Sequence, residues 1–181
     1  MAEQLLWGDI EGEDEELTKT DIENAESMGR MPPMRFLGTC ESSNPREAKL
    51  NAYTCYSANL KWIIDELLEC PAGTPASDED KDRFEGRFQF DDVLLGHQDE
   101  KAGIRNRRIL IAKRCGLINN ASDKIPKNAW SDLIVGAQAI ITTEKQEYTD
   151  KNGNEKSSVK VKFDGYEAIA EAANTDSFDD I

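Results

Sequence analysis

The sequence predicts a mostly β domain with one or two helices, its five strands curling into a small, partly closed barrel. Three observations carry this. Apolar and polar residues alternate with period two in several separate stretches, and an Asn-Gly turn joins two β-branched runs near the end. A single long basic stretch with helical periodicity lies between the third strand and that terminal hairpin.

Each element follows from its residues. Residues 1–30 hold ten acids, two bases and few apolar side chains, and Pro32 and Pro33 follow, so they predict a flexible acidic arm with a helical turn or two. From Arg35, MRFLGTCES and YTCYSANLKWIIDELLE predict two antiparallel strands joined by a loop containing Pro45. Leu60, Trp62 and Ile64 share one parity, while IIDELLE also satisfies a helical period and allows a bend or helix near Asp65. CPAGTPASDEDKD reads as an acidic loop. EGRFQFDDVLLG predicts the third strand, with Phe84, Phe88 and Phe90 on one parity and Arg83, Arg87 and Gln89 on the other.

In KAGIRNRRILIAKRCGLI, Ile104, Ile111, Cys115 and Ile118 recur at helical spacing and Gly116 offers a stop. Lys101, Arg105, Arg107, Arg108, Lys113 and Arg114 are matched by no acid there, which predicts a helix with one apolar and one basic side. KNAWSDLIVG predicts a short helical turn carrying Trp130, Leu133 and Ile134. Val159, Val161 and Phe163 alternate with Lys160 and Lys162, and DKNGNE supplies the Asn-Gly signal, so residues 138–166 predict a long β-hairpin. Five strands with a helix before a terminal hairpin suit the oligonucleotide/oligosaccharide-binding (OB) fold, with an open α+β sheet as the alternative.

A chain of 181 residues allows one domain with appendages: an arm over 1–30, the domain over 31–169 and an acidic tail over 170–181. The formal charge of −14 resides mainly at the ends. Residues 1–30 carry −8 and residues 168–181 carry −4, which leaves −2 on residues 31–167. A nearly neutral domain can present a basic face, so the low pI does not by itself exclude nucleic acid. No stretch approaches the roughly 18 apolar residues of a membrane span, and a signal peptide would begin basic where this chain begins acidic. A cytoplasmic protein is expected, in the host cytoplasm if it is phage-encoded, with no membrane partner.

Motifs for catalysis are missing from the sequence. There is no GxxxxGK[ST] cradle and no Gly-rich dinucleotide turn. Asp78, Asp80 and Asp82 imitate the first ligands of a calcium loop, but Arg83 stands where the turn glycine belongs and Gln89 where the bidentate Glu belongs. Asp150, Asn152 and Asn154 fail the same comparison at Glu155 and Val161. Cys40, Cys55, Cys70 and Cys115 form no CxxC pair and read as buried thiols, and His97 is the single histidine. Neither an enzyme nor a cofactor or metal is expected.

What stands out is the interleaving of aromatics and bases. Lys61 flanks Trp62, and Arg83 and Arg87 flank Phe84 and Phe88. Arg105, Arg107 and Arg108 mark the basic helix, while Lys145, Tyr148, Lys151 and Lys156 decorate the hairpin. Single-strand binders need this composition because bases stack on aromatic rings while the backbone needs cations. Core aromatics beside solvated lysines account for each residue taken singly; the argument for binding lies in the set.

With its strand-rich region from Arg35 to Ile169, the GAQAIITTEKQEYTDKNGNEKSSVKVKF hairpin and the tail DSFDDI, the chain resembles phage-encoded single-stranded DNA-binding proteins. That resemblance implies an OB-like core that binds single-stranded DNA without a cofactor. It also implies that Asp176, Phe178, Asp179, Asp180 and Ile181 recruit replication or recombination proteins, and it is compatible with a homo-oligomer. Phe178 precedes the last acids instead of ending the chain, and the acidic N-terminal arm is not part of the family pattern. A competing reading is an acidic DNA mimic that inhibits a host nuclease or defence system, which would need ordered, regularly spaced carboxylates in the arm.

Overall fold

The computed structural model describes residues 12–27, 31–50, 53–96, 102–118 and 124–169, together with residues 6 and 8. The chain divides into two units, Met1–Arg30 and Met31–Ile181. In the first, helix α1 (Lys19–Ser27) is capped by Thr18, whose hydroxyl accepts from the Asp21 amide while Asp21 accepts from the Thr18 amide. That reciprocal pair holds the Asp21 carboxyl below its ordinary range. Glu13 to Glu16 precede α1 and belong to no helix or strand, so the regular row of carboxylates that a DNA mimic would need is not formed there.

The second unit is built on an antiparallel five-stranded sheet: β1 (Arg35–Leu50), β2 (Tyr53–Glu69), β3 (Phe88–Gly96), β4 (Gln138–Thr149) and β5 (Glu155–Glu167). Its order is β3-β2-β1-β4-β5. The expected OB-like barrel is therefore not formed. The sheet is open, and β3 and β5 are its two edges, with no ladder between them among the described residues. The terminal hairpin is present: Asp150 accepts at one carboxylate oxygen from the Asn152 and Asn154 amides, and Gly153 supplies the left-handed φ of +80° that the turn needs.

Several local expectations are corrected. Pro45 does not sit in a loop but within β1, opposite Ala58, and residues 51–52 lie between the strands. β4 pairs only with Arg35–Thr39 of β1, so at Pro45 that side of the strand has no ladder to lose. IIDELLE stays extended through Glu69, because strand pairing with β1 outweighs its helical periodicity. DEDKD is part of helix α2 (Asp78–Phe84), not a loop: the Ser77 hydroxyl accepts from the Asp80 amide, and three acids fill the first turn. Phe84 is therefore buried at the end of α2 and is not a strand residue.

Helix α3 (Ala102–Arg114) lies against β3 and β5. It buries Ile111 and Ala112, and Cys115 just beyond its end, while leaving Arg105 and Lys113 exposed. Its C-terminus closes at Gly116 (φ +76°), with the Leu117 amide donating to the Ala112 carbonyl and the Gly116 amide to that of Lys113. KNAWSDLIVG contains one π-helical turn, Ala129–Leu133. The core lies on the inner face of the sheet, around Phe36, Leu60, Trp62, Ile64, Val93, Ile141 and Tyr166.

β5 carries a large bulge. Ile141 pairs with Tyr166 but Thr143 pairs with Val161, so Lys162, Phe163, Asp164 and Gly165 stand against Thr142 alone. A Cβ at Gly165 would collide with the Thr142 carbonyl oxygen and lie 2.9 Å from the Lys162 Cβ. Gly165→Ala is expected to cost about 1–3 kcal/mol, read by urea denaturation, because backbone at that distance cannot step aside. A midpoint equal to wild type would show that the bulge relaxes freely.

Candidate functional site

Along β3 the period-two alternation turns Gln89, Asp91 and Val93 inward and Phe88, Phe90 and Asp92 outward. The outward row meets Ile63, Lys61 and Asn59 of β2, in register with Phe88, Phe90 and Asp92. The Lys61 ammonium sits 3.7 Å above the centre of the Phe88 ring and 3.0 Å from Glu41. Asn59 donates to Asp92 at 2.9 Å, and Arg46 bridges the same carboxylate at 3.4 Å. The result is a solvent-facing pair of phenyl rings, roughly 7 Å apart along the strand, with a cation at one end and an Asn-Asp-Arg group at the other.

A second cluster lies on the terminal hairpin. Tyr148 pairs across the strands with Lys156, which bridges Asp150 at 3.4 Å, and Lys145 bridges Glu147 at 3.5 Å. Lys145, Glu147, Tyr148 and Lys156 line a groove of about 350 Å³. Backbone amides, that of Asn154 foremost, hold the Asp150 carboxyl below its ordinary range. Lys151 is exposed in the turn itself. Opposite charges alternate here, so the surface favours neither anions nor cations.

The remaining expected binding residues have other work. Trp62 is fully buried, edge-on to Tyr166 with ring centres 5.8 Å apart. Phe84 is core, with the Arg83 and Arg87 guanidinium groups 5.1 and 5.9 Å from its ring centre. Arg105 is exposed on α3. Arg107 donates to three partners at once: the Phe163 carbonyl of β5 at 3.0 Å, the Asp92 carbonyl of β3 at 3.3 Å and the Asp91 carboxylate at 2.8 Å. Arg108 donates to the Leu94 carbonyl at 2.9 Å, and Gln89 donates to that of Phe90. The tail residues Asp176, Phe178, Asp179, Asp180 and Ile181 lie outside the described residues, as do His97 and Lys101.

These side chains occupy edge groups that a closing ladder would use. The carbonyls of Phe90, Asp92 and Leu94 on the edge strand β3 are each taken by a side chain, and Arg107 also takes that of Phe163 on β5. A ladder between β3 and β5 would need such groups, and α3 contacts both strands. The Tyr166 hydroxyl also donates to Asp91, and burial raises the Asp91 carboxyl above its ordinary range even so.

Catalytic material is sparse among the described residues. No group of three metal-ligating side chains is present, and all four cysteines are buried thiols. Burial raises the Cys40 thiol to about 11 and that of Cys115 to about 12, far from thiolate at neutral pH. Among the described residues, no helix is long and apolar enough to cross a membrane.

No known protein family matches the chain, and no curated protein matches it. The resemblance to phage single-stranded DNA-binding proteins implied an OB-like, partly closed barrel, and the open sheet overturns it. The expected single-strand-binding role in replication and recombination falls with it; of the four rings expected to stack on bases, Trp62 and Phe84 are inside the core while Phe88 and Tyr148 are exposed.

Proposed function

We propose that the protein is a non-catalytic binding module that takes a ring-bearing ligand with an apolar face on the outer face of β2 and β3. The observation that supports this reading is the exposure of Phe88 (42%) and Phe90 (53%) as neighbours on one polar face. A phenyl side chain left in water forgoes about 1.5–3 kcal/mol of burial, and here two are held at adjacent same-face positions. Stacking on Phe90 supplies apolar contact, while Asn59, Asp92 and Arg46 offer donors and acceptors to the edge of the ring. No cofactor is invoked, and a reducing cytoplasm suits the four thiols.

Heteronuclear NMR titration with indole, a purine base and a pyranose checks the reading. At least one should shift the amides of Asn59–Ile63 and Phe88–Asp92, and the shifts should vanish in Phe88→Ala/Phe90→Ala while the fold persists. Shifts for none of the three, or shifts that survive the double substitution, would sink it.

A further inference from the structure

Across β1, β2 and β3 the outer face carries two rows in register: Asn44, Asn59 and Asp92, then Ser42, Lys61 and Phe90. Both charged members of these rows sit beside an opposite charge, Lys61 with Glu41 at 3.0 Å and Asp92 with Arg46 at 3.4 Å. The Lys61 ammonium also covers the Phe88 ring, whereas no described residue places a cation over the Phe90 ring. The open ring therefore belongs to a surface whose charges cancel. A neutral guest matches it, and a phosphate-bearing one would have to break an existing ion pair to find a cation.

The polar row keeps both kinds of hydrogen-bonding capacity. Asp92 accepts from Asn59 at one oxygen and from Arg46 at the other, and each oxygen has a further lone pair. Asn59 retains its amide oxygen, while the exposed Asn44 amide and Arg46 guanidinium bring N–H donors. A purine edge fixes each position as donor or acceptor, and indole offers one donor. A hydroxyl rotates to serve as either, so a ring bearing several of them uses this row most fully.

We infer, resting on the ring-binding reading above, that the outer face takes a neutral pyranose unit, with one C–H face of the sugar on Phe90 and adjacent hydroxyls on Asn59, Asp92 and Arg46. The C–H bonds of a pyranose face carry partial positive charge, which the negative face of the phenyl ring attracts. The apolar and polar contacts are adjacent because Phe90 and Asp92 are successive outward residues of β3, roughly 7 Å apart.

NMR titration of the full chain with methyl glucopyranoside, methyl galactopyranoside and methyl mannopyranoside tests this. At least one should shift the amides of Asn59, Phe90 and Asp92, with an affinity that does not change with salt, because no charge is exchanged. Cyclohexanol, which has the ring but a single hydroxyl, and sorbitol, which has the hydroxyls but no ring, should each bind at least about tenfold more weakly. Phe90→Ala and Asn59→Ala should each weaken the preferred glycoside by a similar factor, while Phe163→Ala on β5 leaves it unchanged. Indole or a purine base shifting these amides where no glycoside does would overturn the pyranose assignment and leave the ring-binding reading standing; silence from all of them would remove both. Cyclohexanol binding as tightly as the glycosides, or glycoside affinity unchanged by Asn59→Ala, would overturn the assignment as well.

Discussion

Arg107→Met should lower stability by about 3–5 kcal/mol, as expected when one partner of a buried charge pair is removed. Its guanidinium and the Asp91 carboxylate are nearly buried, at 14% and 10% exposure, and the same guanidinium holds carbonyls on both sheet edges. The substitution leaves Asp91 in the core with the Tyr166 hydroxyl as its remaining hydrogen-bond partner among the described residues. Adding Asp91→Asn removes that charge and keeps an acceptor for Tyr166, so the double variant should be more stable than Arg107→Met alone. Urea denaturation of the two decides the matter, and a double variant no better than the single would show that the Asp91 charge is not what costs.

The pH dependence has a definite sign. Burial raises the folded-state Asp91 carboxyl above its ordinary value, so its contribution to stability is fully present below the unfolded-state pKa and is lost as pH rises through the folded-state pKa. Without Arg107 the carboxyl loses the largest influence holding it down, and the penalty at neutral pH deepens. The deficit of Arg107→Met should therefore shrink on acidification into the carboxylate range, and the double variant should show no such recovery.

Trp62→Ala is expected to cost about 3–5 kcal/mol and to lower the melting temperature by about 6–20 °C for a chain of this size. The indole is fully buried, packs edge-on against Tyr166 and touches no solvent that could replace it. Trp62→Phe should cost much less, since it keeps a ring against Tyr166 and removes an indole N–H that has no hydrogen-bond partner. By contrast, Phe90→Ala on the outer face should stay within about 0.5 kcal/mol of wild type. Calorimetry that found Trp62→Ala as mild as Phe90→Ala would place Trp62 outside the core.

Much of the secondary structure was legible because it depends on neighbours in sequence. The terminal hairpin follows from Asn152-Gly153 between alternating strands, and α3 from the spacing of Ile111 and Cys115 with a stop at Gly116. Even α2, misread as a loop, carries a readable start signal in Ser77 and the three acids after it. Pro45 misleads because its tolerance depends on which strand lies beside it.

Whether an aromatic on a strand is a binding ring or core is a different kind of question. Trp62 and Phe88 both flank bases, but parity alone does not say which face of β2 or β3 meets the core, and the packing put Trp62 inside and Phe88 outside. Most of the strand residues, the basic helix and the terminal turn follow from local periodicity and backbone preference. That the sheet stays open is a matter of packing: β3 and β5 end as opposite edges, and Arg107 reaches Asp92 on one and Phe163 on the other, 15 and 56 positions away in the chain. No local pattern encodes a hydrogen bond whose partners become neighbours only after the sheet and helix have packed.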